Sequence, residues 1–506
     1  MKRPPLSSIA LTLLAVAACQ GTSSHGSRDA GRDSPAADAR RDGRGSDTRG
    51  TGGATGGHGG LPGGTAGQAD AGDQGGMGGG GPALLGAPLI VAPTAQGFGV
   101  NVILRSGDPQ TLDLQVRPAG TTAWLPVAPP LFPAADVAQW TVTGLRPGLR
   151  HAYRVLAGQS VLYEGSAMTA RPPGNPFTFA LITDTHLEAR DPVPEGQTVI
   201  DDGYGTMEQT MLDVMPGVAA ASPDLVLHLG DIVDTHQFGF NAPPPDTHWA
   251  RLGYLNYRRL LADVGAQAGH FPVIGNWDGE SGCNTPDEIA RSTSQRLLYL
   301  PGPLPTNYPE GGSDNEDYYA FTWGDALFII LNVMTYTPTC HLLDQYPGLP
   351  DDWTLGAAQL AWLQRTLAGA TAKWKFLFIH HTVGGAAGDA SDTAYGRGGG
   401  QAAHVGEQAM VHALMLQYGA QIFFYAHDHV FTDMVVDGIH YTLPGSAGAP
   451  WKFDESETGY TQYWTDSGFA RVAVSSESVQ VDFLSVTGQR LDGFSLPATT
   501  HGDAGF

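Results

Sequence analysis

The sequence predicts an α/β domain preceded by a small all-β sandwich. After residue 173, strand-like apolar runs alternate with helical ones, the order that builds a sheet flanked by helices. Before it, short strand-like runs are separated only by Gly and Pro turns, as in a sandwich. A third observation bears on function: five polar clusters rich in Asp, Asn and His each follow a predicted strand of the α/β part directly.

Residues 1–19 begin Met1-Lys2-Arg3, continue with an apolar run over 9–18 too short to span a bilayer, and end at Cys19. This reads as a signal peptide. Val16-Ala17-Ala18-Cys19 resembles the bacterial lipobox, which implies an acylated Cys19 and an exported protein lipid-anchored to the cell envelope, on its periplasmic face or at the cell surface. Residues 20–82 are rich in Gly, Ser, Asp and Arg with almost no large apolar side chain, so they cannot offset the entropy of ordering and are expected to be a disordered tether. A flexible coil of that length spans about 45 Å on average.

The net charge of −23 leaves no general basic surface, so no nucleic-acid-binding face is expected. Beyond Cys19 only Cys283 and Cys340 remain. In an oxidising compartment two leftover thiols are expected to pair as a disulfide, two separate buried thiols being the alternative.

In the all-β part, residues 83–172, strands are expected at 101–104, 111–116, 139–142 and 152–156. Gly144-Leu145-Arg146-Pro147-Gly148 followed by Tyr153-Arg154-Val155 resembles the turn and strand of fibronectin type III modules and of the N-terminal domain of purple acid phosphatases. His151 stands where such modules carry a tyrosine. The Pro and Gly residues of 171–176 read as a break between domains.

Residues 173–506 form the catalytic candidate. Strands are expected at 177–183, 225–229, 271–274, 375–379 and 421–425, helices at 207–221, 249–266, 355–367 and 408–418. A hairpin is expected over 318–332 and further strands over 469–494, while 187–205, 236–248, 283–317 and 384–406 read as long polar loops shaping substrate entry.

The clusters are Asp184-Thr185-His186, Gly230-Asp231-Ile232-Val233-Asp234, Gly275-Asn276-Trp277-Asp278, His380-His381 and His427-Asp428-His429. Open α/β sheets bind ligands beyond the carboxyl ends of their strands, so five separate segments would deliver polar groups to one place. Carboxylate, amide and imidazole donors without thiolate suit divalent or trivalent Fe, Mn or Zn, and their number exceeds the needs of one ion.

The series resembles the calcineurin-like metallophosphoesterase superfamily: Asp-x-His, Gly-Asp-x-x-Asp, Gly-Asn-His-Asp/Glu, a later His, and Gly-His-x-His. The resemblance implies a four-layer β-sandwich flanked by helices, two transition metal ions, and hydrolysis of phosphate esters by a bridging hydroxide. It gives one ion Asp184, His186 and His429 and the other Asn276, His380 and His427, with Asp231 as the bridge. Asp234 stands where purple acid phosphatases place a metal-binding tyrosine. Trp277 replaces the family's acid histidine, and an indole cannot act as that acid. His381 is the expected stand-in, with Asp234 and Asp278 as further catalytic candidates. The alternative to an enzyme is a non-catalytic metal-binding surface lipoprotein.

Overall fold

The computed structural model of the chain describes residues 81–188, 205–234, 247–282, 284–336, 354–383, 407–449, 452, 460 and 462–498. Cys19, Cys283 and Cys340, the signal segment and nearly all of the tether lie outside the described residues.

Two sheets face each other. The first runs in spatial order Arg490–Pro497, Ser478–Ser485, Gly468–Val474, Phe177–Ile182, Leu225–His228, Gly269–Pro272, Leu89–Thr94, Gly97–Ser106, Val137–Val142 and Leu131–Ala134. The second runs Tyr319–Trp323, Ala326–Ile330, Trp374–Phe378, Ile422–Phe424, Ile439–Pro444 and Phe431–Val436. Phe177–Ile182, Leu225–His228 and Gly269–Pro272 are mutually parallel, and so are the four central strands of the second sheet.

The period-two alternation of each strand explains the layering. Phe179 and Leu181 meet Phe328, Phe376, Phe378 and Phe424 between the sheets, whereas Ala180 and Ile182 face the layer that also holds Met211, Val214, Tyr257 and Leu261. Those four residues belong to the helices Gly205–Ala220 and Thr247–Gln267. On the outer face of the second sheet, Leu377 and Phe423 pack with Leu363 and Met415 from Gly356–Gly369 and Glu407–Tyr418. The result is four layers, helix–sheet–sheet–helix. Phe378 lies 5.1 Å from Phe424 and 5.5 Å from Phe328, ring centre to centre. Each such fully buried ring contributes about 1.5–3 kcal/mol, and Phe378→Ala would cost about 3–5 kcal/mol through the void it leaves.

The N-terminal all-β region is present, and it is less separate than its Pro and Gly boundary suggests. Leu89–Thr94 pairs parallel with Gly269–Pro272, so one of its layers continues the first sheet, while Leu125–Pro126, Leu112–Arg117, Arg150–Ala157 and Ser160–Met168 form a second layer over it. Buried Arg258 ties this region to the helices: Nη1 donates to Asn101 Oδ1 and Tyr299 O, both at 2.7 Å, and Nη2 to Asn101 O at 3.0 Å. His151 is buried, accepts from Ala119 N at 3.0 Å through Nδ1 and so donates from Nε2 to Arg146 O at 3.0 Å, bracing the corner.

One expected loop contains a helix. Pro286–Tyr299 lies inside 283–317, and its start is written in Thr285-Pro286-Asp287-Glu288, a capping box in which the Thr285 hydroxyl accepts from Glu288 N and the Glu288 carboxylate from Thr285 N. The strands Phe431–Val436 and Ile439–Pro444 also went unread, although Asp437-Gly438, with φ of 51° and 82°, is the two-residue turn that marks a hairpin; the mixed burial of Phe431–Val436 blurs its alternation.

Candidate metal centre

The five clusters meet at one end of the two sheets. Asp184 and His186 follow Phe177–Ile182, Asp231 follows Leu225–His228, and Asn276 follows Gly269–Pro272; His380, then His427 and His429, follow Trp374–Phe378 and Ile422–Phe424 of the second sheet. Parallel strands point their carboxyl ends the same way, which places ligand loops from both sheets side by side.

Among the described residues two groups of side chains could each hold an ion: Asp184, His186, Asp231 and His429, and Asp231, His380 and His427. Donor atoms within each group lie within 4.8 Å of one another, and Asp231 belongs to both. Its Oδ2 is 3.5 Å from His186 Nε2 and 3.2 Å from His380 Nε2. His429 Nε2 is 3.2 Å from His186 Nε2 and 3.5 Å from Asp184 Oδ1. Asn276 completes the second group, its Oδ1 lying 3.0 Å from both His380 Nε2 and His427 Nδ1.

These residues fit metal ions for a reason beyond proximity. Both oxygens of Asp184 are buried without a hydrogen-bond donor among the described residues, a costly state for a carboxylate that cations would relieve. His380 donates from Nδ1 to Leu229 O at 2.8 Å, leaving Nε2 on the Asp231 side in the tautomer that binds metals. Burial lowers the proton affinity of His380, but the Asp231 carboxylate outweighs it and the pKa rises to about 9. The same negative field would attract a cation.

The backbone is strained where the candidate ligands sit. Asp184, His186, Asp231, His427 and His429 have φ of 52°, 46°, 52°, 78° and 61°, a region uncommon outside glycine that costs about 1–3 kcal/mol per residue. Close packing holds them there. A Cβ on Gly230, itself at φ 96°, would lie 2.7 Å from Gly275 N and from His380 Nδ1, and one on Gly275 would overlap Asp231. Asp184 N and His186 N donate to Gly230 O and Asp231 O at 3.1 and 2.9 Å.

Neither group includes the three catalytic candidates. Asp278 is buried and spends its carboxylate on the backbone, Oδ1 accepting from Ile232 N at 2.8 Å and Val233 N at 3.0 Å and Oδ2 from Gly275 N at 2.8 Å. Burial, seconded by the Asp231 charge, pushes its carboxyl up to about 7. Its place is that of a clamp between the second and third clusters. Asp234 is buried in the short strand Val233–Asp234, opposite Glu188. His381 packs its ring 4.9 Å from that of His427 and donates from Nδ1 to Thr382 O at 2.8 Å.

Trp277 is partly exposed, its ring edge-on to His186 at 5.3 Å, and its backbone N–H donates to Asp231 Oδ1 at 2.8 Å. The sequence reading missed the turn Gly445-Ser446-Ala447-Gly448. Ala447 N donates to Thr183 O at 2.8 Å, Ala449 N to Asp184 O at 2.9 Å, and a Cβ on Gly448 would overlap Thr185 O. Its run of small residues was the available signal. Lys452 was missed too: its ammonium donates to Ala449 O at 2.9 Å, and burial pulls its pKa down to about 8 against the pull of the Asp184 charge.

Comparison with known proteins places this geometry. The family model described as calcineurin-like phosphoesterase matches residues 177–431, half of the chain. No curated protein matches. Among solved structures, that of PhoD is similar at a TM-score of 0.57 and 15% identity, covering 82% of this chain and 88% of that one. A dimetal phosphatase from Danio rerio is similar at a TM-score of 0.41 and 12% identity, covering 64% of this chain and 100% of that one. GAP50, the anchor in the inner membrane complex of Plasmodium, gives 0.39 and 14%, covering 64% and 90%. At such identities the PhoD likeness speaks for the fold. With the family match spanning all five ligand-bearing clusters, the chain belongs to the calcineurin-like phosphoesterases.

Proposed function

We propose that the protein hydrolyses phosphate esters at a dinuclear centre of Fe, Mn or Zn ions. The observation that carries this reading is the sharing of Asp231 by two ligand groups. Asp184, His186 and His429 would hold one ion, Asn276, His380 and His427 the other, and Asp231 would bridge them. Two such ions, when bound, supply a hydroxide nucleophile at neutral pH and a positive field for the phosphoryl oxygens.

The remaining work falls to the chain. Gly275, Ile232 and Val233 hold Asp278 through their amides, which keeps the loops bearing Asp231 and Asn276 in register. Trp277 offers an indole where a proton donor would stand, so the site favours esters whose leaving groups depart without protonation. His381, beside His427, is the candidate to supply a proton for others. The proposed setting is the cell envelope, with Cys19 lipidated, residues 20–82 as tether, and the fibronectin-like region as a scaffold for the catalytic part.

Trp277 also favours a second reading, a metal-binding surface protein without turnover. Metal analysis with assays on 4-nitrophenyl phosphate, its bis-ester and nucleotides separates the two. Two equivalents of metal with turnover is the expected result. Two equivalents with no turnover on any substrate supports the second reading, and fewer than two equivalents removes the dinuclear assignment.

A further inference from the structure

Beneath the candidate centre lies a buried polar chain that the expected ligand set does not use. His228, the last residue of Leu225–His228, is fully buried. Its Nδ1 accepts from Gly230 N at 3.2 Å, so the ring proton resides on Nε2, which lies 3.0 Å from Thr185 Oγ1. That hydroxyl accepts the proton and donates its own to Ile232 O at 2.8 Å. The chain is therefore directional, each group having one role. The opposite side of the ring is fixed as well: Tyr257 packs edge-on at 5.3 Å, and its hydroxyl is bonded to His270 Nε2 at 2.8 Å. Burial, aided by His270, His380 and His186, holds the His228 ring well below its ordinary pKa, in the neutral state this wiring requires.

We propose that His228 is a positioning residue for the ion assigned to Asp184, His186 and His429, acting through Thr185. This rests on the dinuclear reading. Thr185 separates Asp184 from His186, and Ile232 follows Asp231, so the chain adds a side-chain brace at three candidate ligands whose backbone is left-handed. His427 and Asn276 come from other loops, and His380 is braced separately by Leu229 O. The effect should accordingly fall on one ion more than on the other.

The test is Mn2+ titration of the full chain in competition with a chelator, which reads metal binding without activity. His228→Phe and Thr185→Val are each expected to weaken one of two equivalents by about 10- to 100-fold, the range for outer partners of metal ligands. Thr185→Ser, which keeps the hydroxyl, should retain parental affinity. Because both substitutions cut one chain, the double variant should be no weaker than the weaker single one. Parental affinity for both equivalents in Thr185→Val, additive losses in the double variant, or failure of Thr185→Ser to retain binding would each overturn the proposal. Should His228→Phe not fold, the two Thr185 variants decide alone. A parent that binds only one equivalent overturns the dinuclear reading instead, a distinguishable outcome.

Discussion

Replacing Asp231 by Asn tests the shared carboxylate directly. Asn keeps the shape and can still accept the Trp277 N–H that Oδ1 now takes at 2.8 Å, so the local turn survives and the charge alone is lost. Asp231 Oδ2 lies 3.5 and 3.2 Å from the Nε2 atoms of His186 and His380, one in each ligand group, so both ions would feel the loss. Two unit charges about 4 Å apart interact by about 4 kcal/mol at an effective dielectric constant near 20, and a divalent ion doubles this. Allowing half for relaxation leaves about 4 kcal/mol per ion, or roughly a thousandfold in affinity. Elemental analysis after gel filtration should therefore find less than one full complement of metal, and 4-nitrophenyl phosphate turnover should fall by about three orders of magnitude. A variant that retains two equivalents at parental affinity and most of its turnover would refute the bridge.

Three further outcomes are expected. General-acid help is worth roughly 10² to 10⁴ in rate, so with Trp277 at the acid position kcat/KM should fall steeply as leaving-group pKa rises; Trp277→His should raise the alkyl phosphates selectively and His381→Ala lower them, and a flat dependence in parent and variants alike contradicts this. Arg258→Met strips three hydrogen bonds from buried acceptors of Asn101 and Tyr299 and should cost about 2–4 kcal/mol in urea unfolding with an unchanged slope, a loss below about 0.5 kcal/mol counting against the tie that Arg258 makes between the N-terminal region and the helices. Cys283 and Cys340 should be unreactive to a thiol reagent in the unfolded, unreduced protein, and two reactive thiols would dispose of the pairing.

Much of this molecule is legible along the chain because its signals are local. Near-continuous apolar runs in Phe177–Ile182, Leu225–His228 and Trp374–Phe378 report strands with two buried faces, and each candidate ligand cluster is a short motif attached to a strand end. The capping box at Thr285 was equally local and was overlooked inside a polar stretch. Strand partnership is of another kind. Nothing in 88–94 says that Leu89–Thr94 will lie against Gly269–Pro272, some 180 residues away, because a strand edge offers the same amides and carbonyls to any partner; what distinguishes partners is tertiary packing, as where Leu89 shares a core with Leu261 and Val264 of the helix Thr247–Gln267. The candidate site divides in the same way. Residue types at the strand ends name candidate donors and the family resemblance sorts them between two ions, but whether the members of each set come within reach of one another depends on distances between loops of two different sheets. That Asp278 clamps backbone amides, that Trp277 stands against His186, and that His228 reaches Thr185 are facts of three-dimensional proximity, produced when the two sheets close over their aromatic core.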